Sequence, residues 1–177
     1  LYKRSEQKMA EIDKIFSSKI KYNGVFSFKD FYKFCHNWLT DETGLDISEN
    51  KYAEKLSGDS KDIEVEWTCT KKVTDYFQFK INVSFKISPL KNVEINQGGK
   101  KIKTNEGSVE VKVSGNLIRD YDGKFEKDAF KKFLRSIYEK WIITGRINQM
   151  EEKLVGSCDE FLGQAKAYLD LEGKIRH

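Results

Sequence analysis

From Phe77 to Ile87 every second residue is apolar: Phe77, Phe79, Ile81, Val83, Phe85 and Ile87 alternate with lysines and small polar residues. That period of two predicts a strand with one buried face. Residues 63–70 repeat it, with Ile63, Val65, Trp67 and Cys69 set against Glu64, Glu66, Thr68 and Thr70. Val109, Val111 and Val113 do the same before Gly115, where a bulge or a close approach is expected. Gln97-Gly98-Gly99-Lys100 reads as a two-glycine hairpin turn, and "KIKT" as a short strand ending at Asn105-Glu106-Gly107. Residues 47–57 supply an edge strand. Short turns between successive strands require antiparallel pairing.

The flanks change period. Residues 2–19 read as a helix with Met9, Ile12 and Phe16 on one stripe, broken at Tyr22-Asn23-Gly24. A second helix opens at Ser27, its N-cap, with Asp30 three residues on. It carries Phe28, Phe31, Tyr32, Cys35, Trp38 and Leu39 and stops at Gly44. Beyond "RDYDG" a third helix sets Phe130, Phe133, Leu134, Ile137, Trp141 and Ile142 on one face, up to a break at Thr144-Gly145. The last helix carries Ile147, Met150, Leu154, Cys158, Phe161, Ala165 and Tyr168, close to a heptad seam.

These elements predict a single α+β domain over residues 1–177: an antiparallel meander of four to five strands, covered on one face by N-terminal and C-terminal helices. Residues 1–22 are expected as a helical arm and residues 146–172 as a terminal helix that doubles as an interaction element. The alternating stripe belongs to the core, because burying one Phe contributes roughly 1.5–3 kcal/mol and four amphipathic helices need a surface to cover. The expected core is Phe31, Trp38, Trp67, Phe79, Ile81, Phe85, Val111, Phe133, Ile137 and Trp141. The other sheet face mixes Glu64, Glu66 and Glu110 with Lys80, Lys86 and Lys112, which disfavours phosphate binding.

Composition agrees with a folded domain: 34% charged, 13% aromatic and one proline among 177 residues. No apolar run approaches the roughly 18–20 residues of a transmembrane helix, and no signal-peptide pattern is present. The chain begins at Leu1 rather than methionine, which leaves an upstream anchor, tag or leader open. Cys35, Cys69 and Cys158 form no CxxC pair and occupy apolar positions, so reduced, buried thiols and a cytoplasmic setting are expected. The formal charge of +4 conceals a net −6 over residues 41–70 followed by +6 over residues 71–105. That partition predicts neighbouring strands with complementary outward charges.

Catalytic constellations are not visible. His36 stands beside Cys35 on a helix, where adjacent side chains diverge by about 100° and form no dyad. Asp120-x-Asp122 starts like a calcium loop, but Gly123 falls at the fourth position and no glutamate occupies the twelfth. Asp122 is better placed as a helix N-cap. Glu64 and Glu66 share a sheet face without a cleft. No cofactor is expected.

The main functional expectation is therefore a non-enzymatic protein-interaction or assembly module. Its candidate partner surface is the seam Ile147, Met150, Leu154, Phe161 and Tyr168, the competing arrangement being a fold-back of Phe161 and Leu162 onto the first helix at Ile12 and Phe16. One alternative is a weak, nonspecific nucleic-acid contact through Lys127, Lys131, Lys132 and Arg135. Another is a small-ligand carrier with an aromatic cavity between sheet and C-terminal helix.

Overall fold

A computed structural model describes residues 10–123, 129–141 and 144–175. The order is β1 (Glu11–Phe26), α1 (Phe28–Asn37) with a π-helical turn (Trp38–Glu42), β2 (Asp46–Ser57), β3 (Ser60–Lys72), β4 (Phe77–Gln97), β5 (Lys100–Arg119), α2 (Ala129–Trp141) and α3 (Thr144–Ile175). The five strands form one antiparallel sheet in the order β1-β5-β4-β3-β2. Strands β2 to β5 are the expected meander, and β1 closes the far edge beside β5. The connection from β1 to β2 must cross the whole sheet. Helix α1 lies in that crossover, so it covers the apolar face.

Local chemistry fixes the joints. The Ser27 hydroxyl accepts from the Asp30 amide at 3.3 Å, and Asn105 Oδ1 accepts from the Phe28 amide at 3.1 Å, which ties the start of α1 to β5. Gly98 and Gly99 take φ of 58° and 80° in the two-residue turn between β4 and β5. The alternating residues of β3, β4 and β5 all point into one core with Phe26, Phe31, Cys35 and Leu39. Trp67 and Phe85 meet edge-on there with ring centroids 4.8 Å apart. Helix α3 lies along β1 and β5 and buries Met150, Leu154, Cys158, Phe161, Leu162, Ala165 and Leu169.

The outer face carries the charge pairing expected from the sequence. Across one row, Glu64 of β3 stands opposite Lys86 of β4, Lys86 opposite Glu110 of β5, and Glu110 opposite Lys21 of β1. Lys51 of β2 bonds Glu64 and completes an alternating row over all five strands.

Four expectations are corrected. The helical arm is a strand from Glu11 onward, and residues 1–9 lie outside the described residues. A register shift between Lys14 and Phe16 breaks its alternation, so Ile12 and Phe16 imitate a helical spacing. Asn105-Glu106-Gly107 is no turn, because β5 runs through it. Gly107 is needed there because a Cβ would stand 2.2 Å from the Pro89 carbonyl oxygen. Phe133, Ile137 and Trp141 are not core: they are 59%, 38% and 74% exposed. The seam of α3 is not a free surface, since Met150, Leu154 and Phe161 are buried on the chain's own sheet and Ile147 and Tyr168 pack at its margin. Trp38 is half-buried, and the remaining expected core residues are buried.

Candidate interaction surface

Helix α2 reads AFKKFLRSIYEKW. At 100° per residue, Phe130, Phe133, Leu134, Ile137 and Trp141 share an arc of about 100°. Such a stripe ordinarily faces the body of a domain. Here it faces away, with Phe130 68% and Leu134 40% exposed beside the three residues above.

The opposite side explains the orientation. Arg135 Nη2 lies 2.7 Å from Glu11 of β1 and its Nη1 lies 3.7 Å from Asp120, which is buried. Glu139 accepts from Arg119 Nη1 at 3.0 Å and from the Tyr76 hydroxyl. Arg119 Nη2 also reaches Glu11 and Asp13, each at 2.9 Å. Two guanidinium groups and four carboxylates thus hold α2 by its polar side at the end of the sheet, where Tyr138 alone of its large side chains packs at the margin of the core, its ring 6.0 Å from that of Tyr76. Burial, then the bond to Glu139, pushes the Tyr76 phenol far up, so it remains a donor. The Thr144 hydroxyl donates to the Glu139 and Lys140 carbonyls, both at 2.8 Å, and closes the last turn of α2. The five residues of the stripe lie on the other side of the helix from this anchor and stay exposed.

The residues expected to contact a polyanion are not brought together as such a site. Lys127 lies outside the described residues, Lys131 and Lys132 are on α2, and Arg135 is committed to the ion-pair cluster. The space proposed for a small ligand, between sheet and α3, is filled by Leu154, Cys158, Phe161, Ala165 and Leu169, each at most 1% exposed. An open groove of about 540 Å³ does lie between α1 and β2, lined by Phe28, Tyr32, Tyr52 and Glu49 among others. Glu49 is already bonded there by the Tyr32 hydroxyl at 2.7 Å and by Trp67 Nε1 at 3.3 Å.

His36 packs edge-on against Trp67 at 5.7 Å, while Cys35 is fully buried and its thiol is pushed well above the usual range by burial. Among the described residues no group of three His, Cys, Asp or Glu is placed to hold a metal ion, and no helix is long and apolar enough to cross a membrane. The sequence did display the α2 stripe, but its direction depends on Glu11, Asp13 and Arg119, which lie far away along the chain. Comparison of the chain with family models, with curated proteins and with solved structures finds no match.

Proposed function

We propose that this chain is a non-enzymatic docking module: a sheet-and-helix body that presents the apolar side of α2 to a binding surface. One observation supports this reading above the rest. Five large apolar side chains of a single helix stand outward while ion pairs fix the helix from behind. Exposing such a stripe is unfavourable unless something covers it, and contiguous exposed apolar surface of this kind marks interaction sites. The assembly role thereby moves from α3, whose seam is occupied, to α2.

The test is the pair Phe133→Ser with Trp141→Ser. The variant is expected to keep its circular dichroism spectrum and melting temperature, because neither side chain is packed. It should lose the association, with itself or with a surface, that light scattering and vesicle flotation are expected to detect for the wild type. A loss of several kcal/mol of stability would instead place the stripe in a core and defeat the proposal. So would a wild type that associates with nothing.

A further inference from the structure

We infer that α2 is an interfacial helix that lies on the surface of an anionic lipid bilayer, an inference resting on the docking role proposed for the same face. Three observations converge on that occupant.

The first is shape. The side of α2 carrying Arg135 and Glu139 is fixed to the body, so only the opposite arc is offered. The thirteen residues of α2 make a ridge about 20 Å long. A ridge pinned along its back suits a flat, deformable surface better than a groove that must enclose a helix.

The second is composition. Phe130 and Trp141, at the two ends, are the most exposed of the five, with Leu134 and Ile137 between them. Aromatic and leucine residues on one side and lysines on the other are the pattern of a helix lying in the plane of a membrane interface. Spanning is not involved, since no described helix is apolar enough for it.

The third is charge. Lys140 borders the apolar arc on one side, its ammonium 5.5 Å from the Trp141 ring centroid, and the exposed Lys131 follows beyond Leu134 on the other. The single carboxylate of α2, Glu139, is turned inward onto Arg119 and Tyr76. The outward side of the helix is therefore apolar in the middle and basic at its borders. Lysine stems can lie along hydrocarbon while their ammonium groups reach phosphate and carboxylate headgroups.

A second copy of the chain fits less well. Taking roughly 200 Å² for each fully exposed large side chain, the stripe offers on the order of 550 Å², below the roughly 800 Å² per partner of a standard interface. Two such stripes face to face would also bring their bordering lysines together with no carboxylate of α2 between them.

The experiment is flotation of the full chain with vesicles of phosphatidylcholine alone and of phosphatidylcholine with phosphatidylserine, alongside light scattering of the protein without lipid. The wild type is expected to float with the anionic vesicles and not with the neutral ones. Its tryptophan emission should shift to the blue and be quenched by acyl-chain bromine, since Trp141 is the exposed tryptophan while Trp67 is buried. Phe133→Ser with Trp141→Ser should abolish flotation. Lys140→Gln should weaken binding about fivefold, and added salt should weaken it as well. A chain that ignores anionic vesicles but forms an oligomer dissolved by the double serine change would overturn the lipid inference and leave the docking role standing. A chain that neither floats nor associates would overturn both. Flotation unaffected by the double serine change and by Lys140→Gln would show that the membrane contact lies elsewhere and overturn the assignment to α2.

Discussion

Arg119 near the end of β5 holds Glu139 of α2 at 3.0 Å, with both side chains under one-fifth exposed. The same guanidinium serves Glu11 and Asp13 of β1, so one side chain joins three elements. Arg119→Met should leave several carboxylates crowded and unpaired, at a cost of about 3 kcal/mol. Urea unfolding measures that loss. Amide exchange should show α2 opening well before α3. Unchanged protection of α2 would mean that the helix is held by something other than this cluster.

At Gly115 of β5 the side chains of α3 come close to the backbone of the sheet. A Cβ at this position would stand 2.9 Å from Cys158 Sγ and 3.2 Å from the Phe16 Cβ. Gly115→Ala should cost about 1–3 kcal/mol by overpacking. Combined with Cys158→Ala the loss should be smaller than the two single losses added together, because the second change vacates the space the first one fills. Strict additivity in thermal melts would show that helix and strand are further apart.

Burial pushes the thiols of Cys69 and Cys158 up to about 12, and that of Cys35 well above its ordinary range. Folding therefore favours the protonated thiols over their unfolded state, which ionises near 8.5. This stability is fully present below about pH 8.5 and declines as pH rises from there toward 12, by up to about 1.4 kcal/mol per pH unit for each thiol. Denaturant midpoints at pH 8 and pH 10 should differ less in a chain with all three cysteines changed to alanine. At pH 8 a thiol reagent should find no reactive cysteine until the protein unfolds. Prompt labelling of the native chain would contradict that burial.

Glu110 sits among lysines on the outer face, 3.8 Å from Lys21 and 3.9 Å from Lys19 across the strand pair, and opposite Lys86. Glu110→Lys would replace attraction with repulsion in the middle of the charge row. The loss should be about 1 kcal/mol at low ionic strength and shrink as salt is added. A loss that is independent of salt would point to packing of the Glu110 stem rather than to charge.

The sheet was legible in the sequence wherever alternation ran unbroken. Phe77 to Ile87, Ile63 to Cys69 and Val109 to Val113 all took the register their pattern required, and Ser27 caps α1 as its spacing with Asp30 implied. Where a bulge interrupts the period of two, as at Ile15 in β1, the apolar residues on either side fall three or four apart and imitate a helix. Gly107 looked like a turn because glycine serves both turns and close backbone approaches, and only the position of Pro89 tells them apart. Amphipathic helices were readable as such, but their direction was not. The seam of α3 turns inward because it reaches β1 and β5. The stripe of α2 turns outward because Arg135 and Glu139 meet partners from residues 11–13 and 119–120, which no local window contains.

The place of β1 at the far edge has a consequence for the order in which the chain folds. The hairpin of β4 and β5 closes over two glycines, whereas Glu11 lies more than a hundred residues from its partner Arg119. Closing a loop of that size is entropically costly, so local hairpins should form first and β1 should dock last. On the ribosome, β1 emerges before the other four strands of the described sheet and must wait for β5 before its hydrogen bonds can be made. Destabilising changes in β1, such as Ile20→Val, should then speed unfolding and leave the folding rate nearly unchanged, whereas Val83→Ala in β4 should slow folding. The edge that completes the sheet would also be the edge that leaves first.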